Sequence, residues 1–136
     1  MEYETGLASN GIWRKLWCLK IPPHIRNFLW RCVHSVIPTR TALFGRGVNV
    51  DVVCPLCSHE PESLHHLFFL CPQVMALWAS IDQPVDSSVS FVAWLEAVIS
   101  AGPMLTVLRG VAICWCIWRG RNALIWSAAT SFDGDR

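Results

Sequence analysis

Cys54-Pro-Leu-Cys57, followed by His65-His66 and then Cys71, constrains the fold of this 136-residue chain more than any other feature. Two cysteines separated by two residues can hold one ion from a tight turn, and a histidine and a third cysteine downstream complete the tetrahedral Cys3His set that Zn2+ accepts. A turn and the helix after it must therefore converge within one ion's reach. Thiolate and imidazole donors suit zinc by their softness, whereas magnesium and calcium sites are built from oxygens. Four protein donors leave no open position for water or substrate, so the expectation is one structural Zn2+ and no metal catalysis.

Spacing alone leaves the histidine open. His66 gives Cys-x2-Cys-x8-His-x4-Cys, His65 shortens the first gap by one residue, and His59 lies near enough to compete. In a helix beginning at Ser63 the adjacent histidines point about 100° apart, so only one of them can face the ion.

Seven cysteines is an odd number, and the close Cys-x2-Cys pair favours metal binding in a reducing compartment over a disulfide framework. The opening Met-Glu-Tyr-Glu carries acids where a leader would carry bases, so an intracellular location, nuclear or cytoplasmic, is expected. Hydrophobic residues make up 53% of the chain and charged ones 15%, enough apolar material for a real core and too little charge for a disordered chain. The most membrane-like stretch, Met104 to Trp118, contains Arg109 and is followed by Arg119 and Arg121. It falls short of the ~20 apolar residues of a spanning helix, so no membrane partner is expected.

The pattern predicts a mainly α fold, with a small helical domain that embeds the Cys3His turn and helix, followed by a C-terminal helical pair. Trp13, Leu16 and Trp17 share one face of a short helix, and Pro22-Pro23 ends it and opens a second one. In that second helix Ile25, Phe28, Leu29, Cys32, Val33 and Val36 form the apolar side. Trp30 falls on the polar side, placed either to stack on a base or to pack beneath another helix. Thr39 and Ser63 read as N-caps, and Pro72 as the first residue of another helix. The expected organisation is a flexible N-terminus over 1–10, the zinc-binding domain over 11–82, a loop over 83–90, the helical pair over 91–127 and a disordered tail over 128–136. The last helix is apolar nearly all round over Val111 to Trp118, which requires burial on several sides or a partner.

A net charge of +1 hides a polarised chain. Residues 5–50 hold Arg14, Lys15, Lys20, Arg26, Arg31, Arg40 and Arg46 without one acid, whereas 51–100 hold six acids and no Lys or Arg. One reading is a basic face that neutralises phosphates, with Arg14, Lys15, Lys20, Arg26, Trp30, Arg31, Arg40 and Arg46 as candidate nucleic-acid contacts. The other is a basic half that packs against the acidic half.

Residues in order along the chain carry a resemblance. Ile12-Trp-Arg-Lys-Leu-Trp17, Lys20-Ile-Pro-Pro-His24, Asn27-Phe-Leu-Trp30-Arg31, Ile37-Pro-Thr-Arg40, Leu43, Arg46-Gly47, Cys54-Pro-Leu-Cys57, Glu62, His66-Leu-Phe68 and Cys71-Pro72 occur in sequence, ending near Trp78. Together they resemble the zinc-binding domain that follows the reverse transcriptase in plant LINE-type (non-LTR) retroelements. Trp115-Cys-Ile-Trp118-Arg-Gly-Arg-Asn122 is similar to a Trp-rich segment downstream in such elements. The resemblance places the histidine ligand at His66, so the implied set is Cys54, Cys57, His66 and Cys71. It implies a module that helps a reverse transcriptase engage RNA or single-stranded DNA, with nucleic acid and the reverse transcriptase or another retroelement protein as partners.

No enzyme activity and no small-molecule substrate are expected. A polymerase needs clustered metal-binding aspartates, and a ribonuclease H site needs converging carboxylates, whereas the acids here are few and scattered. The cysteines nearest to histidines are the ones best used as ligands, and a zinc-bound thiolate is not a free nucleophile. The alternative function is a zinc-stabilised protein-interaction module, or an inactive retroelement relic, that uses its apolar Trp-rich C-terminal helices.

Overall fold

A computed structural model describes residues 13–81, 83 and 85–134, with the backbone course alone at 101 and 128–134. The expectation for residues 1–10 lies outside the described residues. Helix α1 is described over 13–17, and α2 runs Pro23–Val33, α3 Arg40–Gly45, α4 Pro72–Ser80, α5 Phe91–Ala101 and α6 Met104–Gly134. A π-helical turn, His66–Leu70, precedes α4. Among the described residues the extended structure is limited to a single antiparallel bridge, Val53 to Pro61. The chain is mainly helical, with the cysteine turn embedded between α3 and the π turn.

Local chemistry sets these boundaries. Pro23 opens α2, where its missing N–H is not needed. That helix closes with Ser35 in the left-handed region (φ 56°) and the Val36 N–H donating back to Arg31 O at 2.9 Å. Thr39 Oγ1 accepts from the Ala42 N–H and caps α3, which ends the same way at Gly47, φ 90°, with the Val48 N–H on Leu43 O. Ser90 caps α5 by accepting from the Ala93 N–H at 3.1 Å. Helix α6 runs through the segment expected as a tail as far as Gly134.

One contiguous core, from Leu16 to Trp118, joins α1, α2 and the π turn to α4, α5 and α6. Phe68 and Phe69 of the π turn meet Phe28 from α2, Trp78 from α4 and Phe91 and Trp94 from α5, with ring centroids 5.5–6.2 Å apart. Helix α6 completes it with Val107, Val111, Cys114, Ile117 and Trp118, while Trp115 packs edge-on against Phe28. The residues of α6 that read as apolar all round are thus largely covered by α2, α5 and the π turn. Gly110 permits the close approach of α6 to α5, because a Cβ there would stand 2.9 Å from Trp94 Cζ2.

Helix α1 differs from its predicted face. Leu16 is buried and Trp13 half-buried against the core, with Leu19 buried just past the helix end, whereas Trp17 remains 61% exposed. The reason is Arg26: its guanidinium sits 4.8 Å over the Trp17 ring and donates to Leu19 O and Ile21 O, which holds that indole on the outer surface. Trp30 is likewise 44% exposed, its ring tilted against His34, and does not pack beneath another helix. Among the described residues no helix is long and apolar enough to cross a membrane.

Candidate metal centre

The cysteine turn is built as a short hairpin. Val53 and Pro61 pair across it, the Cys54 N–H donates to Glu60 O at 2.7 Å and the Glu62 N–H to Val52 O at 2.7 Å. Between these rungs the chain reverses through a Ser58 N–H bond to Cys54 O, with Ser58 left-handed at φ 63°. That reversal directs the side chains of Cys54 and Cys57 to one side. The backbone N–H groups of Leu56 and Cys57 point at the Cys54 sulfur, and those of His59 and Glu60 at the Cys57 sulfur.

The other two donors come from the helical side. Ser63 Oγ accepts from the His66 N–H at 3.0 Å and starts a helix that widens at once into the π turn. In an α-helix a residue five positions on lies about 140° around the axis. Here the Cys71 N–H closes onto His66 O at 2.8 Å, which brings residue 71 back over residue 66. π turns of this kind recur at functional sites. The α-helical donor to Phe68 O would be the N–H of residue 72, which Pro72 lacks, and the Trp78 indole N–H donates there instead at 2.8 Å. Gln73 Nε2 donates to Leu56 O and ties α4 to the cysteine turn.

The ligand atoms of Cys54, Cys57, His66 and Cys71 all lie within 4.8 Å of one another, with Cys57 Sγ 3.4 Å from His66 Nε2. A tetrahedron of zinc bonds near 2.0–2.3 Å has edges of roughly 3.5 Å, so these four atoms fit one ion. Among the described residues no other group of three or more His, Cys, Asp or Glu is gathered in this way. Burial pushes the Cys54 thiol up to about 11, against the pull of the Cys57 and Leu56 amides. Burial also acts to raise Cys57, but the Glu60 and His59 amides and the neighbouring thiols bring it below the ordinary value. His66 is lowered by burial, with Glu60 and Glu62 opposing, and is held as the neutral imidazole a metal takes.

His65 faces elsewhere. Its Nε2 lies 2.6 Å from Ser87 O, and its ring meets Phe69 edge-on. His59 is exposed. Elemental analysis should therefore find zinc retained by His65→Ala and lost from His66→Ala; the reverse result would reassign the ligand.

Behind the site lies a feature that spacing did not signal. Glu62, fully buried one residue past the hairpin, pairs with Arg121 of α6: Nε to Oε2 is 2.7 Å and Nη2 to Oε1 is 2.5 Å. Glu62 Oε1 also accepts from the Arg40 N–H at 2.8 Å, and its carbonyl takes the Thr41 hydroxyl at 2.9 Å. Arg121 reaches Pro38 O and lies 4.8 Å over the Trp118 ring. Glu62 stands two residues from Glu60 in a polar turn and reads there as a surface acid, and its partner stands 59 positions away.

Of the candidate nucleic-acid residues, Arg14, Lys15, Lys20, Trp30 and Arg46 are exposed, and Arg26, Arg31 and Arg40 are half-buried. Arg40 donates to Asp51 O at 3.1 Å and Lys15 to Ser100 Oγ at 3.3 Å. Among the described residues the one ion pair is Arg121 with Glu62, so the packing of basic half on acidic half does not take the form of salt bridges there.

A closed Cys3His cluster on a hairpin and a π turn, set in a helical core, defines a zinc-binding module. The family model described as zinc-binding in reverse transcriptase matches residues 3–78, more than half of the chain, and the chain belongs to that family. It is also 26% identical over 66 residues to an Arabidopsis thaliana protein named "Putative ribonuclease H protein", a match covering 48% of this chain and 11% of that protein. The chain therefore corresponds to a small part of that relative's length. No solved structure matches it.

Proposed function

We propose that this chain is the non-catalytic, zinc-stabilised nucleic-acid-binding module of a plant LINE-type retroelement reverse transcriptase protein, acting on RNA or single-stranded DNA inside the cell. One Zn2+ held by Cys54, Cys57, His66 and Cys71 is structural in this reading, because a set of four protein donors leaves no site for a reacting ligand. The observation that carries the nucleic-acid role is that, among the described residues, no Lys or Arg of the basic segment is in an ion pair. Arg14, Lys15, Lys20 and Arg46 stand exposed while the one described ion pair uses an arginine from the other end of the chain. Phosphates are the natural counterions for such a face.

The same pair supports a role without catalysis. Glu62, the most enclosed of the described carboxylates, is committed to Arg121 and to the Arg40 amide, while Asp51, Glu60 and Asp86 are exposed and dispersed. A protein-interaction role is favoured by the apolar residues that α6 leaves uncovered, Leu105, Leu124 and Trp126, the last 72% exposed. Trp118 is buried and Trp115 is half-buried against Phe28, so little of the Trp-rich segment remains for a partner.

The salt dependence of binding tests the lead reading. Affinity for a single strand should fall steeply with salt, and replacing Arg14 and Lys20 together with alanine should flatten the log–log slope by about one to one and a half units. Binding that ignores salt, or none at all, would move the function to the uncovered strip of α6.

A further inference from the structure

We propose that the open groove between α1 and α2 is a stacking site for the unpaired bases of a single-stranded nucleic acid, an inference that rests on the nucleic-acid reading above. Trp13, Trp17, Pro23, Arg26, Asn27 and Trp30 line it, and it encloses about 500 Å³. Large indoles are normally spent on the core, as Trp78, Trp94 and Trp118 are here. Trp17 and Trp30 instead present their rings at one surface cleft, and such a concentration of exposed apolar area marks a binding surface.

The groove is ordered before any ligand arrives. His34 lies stacked against Trp13 (centroids 6.2 Å, planes 15° apart) and meets Trp30 at 4.4 Å, which ties α1 to α2 through an aromatic row. Arg26 is fixed over Trp17 by the carbonyls of Leu19 and Ile21, which orient its charge without neutralising it. Asn27, exposed in the lining, brings an amide whose donor and acceptor both match base edges.

Charge selects the occupant. Among the described residues the lining carries a cation and no acid, Lys20 is exposed on the connection between the two helices, and residues 5–50 contain no carboxylate side chain. A polyanion with flat apolar rings satisfies both halves of this surface, the indoles through base stacking and the cations through phosphate. A duplex covers its base faces with their own neighbours, so a stacking groove favours single strands.

The test is fluorescence anisotropy on the full chain loaded with zinc. The probes are labelled oligothymidylate and oligouridylate of about 12 nucleotides, an abasic strand of the same length and charge, and a duplex. Base-bearing strands should bind more tightly than the abasic strand and the duplex, and the ratio of the two base-bearing probes tells DNA from RNA. Trp17→Ala and Trp30→Ala should each weaken base-bearing strands roughly 5- to 150-fold, while the salt slope, abasic affinity, zinc content and melting temperature stay unchanged; Trp30→Phe should retain most of the binding. Equal affinity for abasic and base-bearing strands, or alanine variants that bind like the parent, overturns the stacking site and leaves the electrostatic reading intact. Absence of salt-dependent binding to every strand removes that reading as well, and uptake of a Pro-x-x-Pro peptide in place of oligonucleotide reassigns the groove to peptide docking.

Discussion

Stripping zinc with a strong chelator, or replacing Cys71 with serine, is expected to unfold most of the chain's population. Cys54 and Cys71 are fully buried, and the hairpin that carries Cys54 is closed by a single bridge. An isolated two-stranded hairpin is marginal in water. The free energy of structural zinc binding, about 10–16 kcal/mol in zinc-finger peptides, is comparable with the whole stability of an ordinary domain, about 5–15 kcal/mol. The effect should extend beyond the hairpin, because Leu67, Phe68 and Phe69 lie between His66 and Cys71 and are themselves centres of the core. Far-UV circular dichroism and thermal melts should show the chelated parent recovering when Zn2+ is returned and Cys71→Ser failing to do so. Cys116→Ser, at an exposed cysteine, serves as the control and should melt like the parent. Coincident melts with and without chelator would mean that the aromatic core holds the fold alone and that the cluster is not its keystone.

What could be read from the sequence divides along the range of the interactions concerned. Helix starts depend on neighbouring residues, so Pro23, Thr39, Ser63 and Pro72 could be identified from proline at N1 or a hydroxyl at the cap, and the structure places helices there. The four residues gathered at the centre are those that donor type and spacing, with the family resemblance, single out. The residues alone leave His65 and His66 open, because the answer depends on a π turn, which has no reliable signature in an apolar run such as Leu67-Phe-Phe-Leu70, and it is the resemblance that points to His66. Trp17 was misplaced for a similar reason. Helical spacing gives the angle at which a side chain leaves the axis, but not whether an arginine from the next helix will hold it at the surface. The link between α6 and the metal hairpin was the least legible of all, because Glu62 and Arg121 are distant in sequence and each reads alone as an ordinary surface charge.

That buried pair carries the second large effect. Replacing Arg121 with alanine should destabilise the fold by about 3–5 kcal/mol, because it leaves the Glu62 carboxylate enclosed with the Arg40 backbone N–H as its remaining described partner. Arg121→Lys should recover only part of the loss, since an ammonium cannot reproduce the two parallel N–H bonds to Oε1 and Oε2 or the plane lying over Trp118. A buried ion pair is nonetheless a poor source of net stability, because two desolvated charges offset much of their mutual attraction. The double variant Arg121→Met with Glu62→Leu should therefore be far more stable than the sum of its two single changes predicts, and urea unfolding of the four proteins measures that coupling directly. Additive losses below about 1 kcal/mol each would place the pair among weak surface bridges. Strong coupling would instead identify it as the joint through which α6 is fixed to the hairpin that presents Cys54 and Cys57. In that case shortening the chain before residue 121 should weaken zinc retention as well as the fold, although every ligand remains.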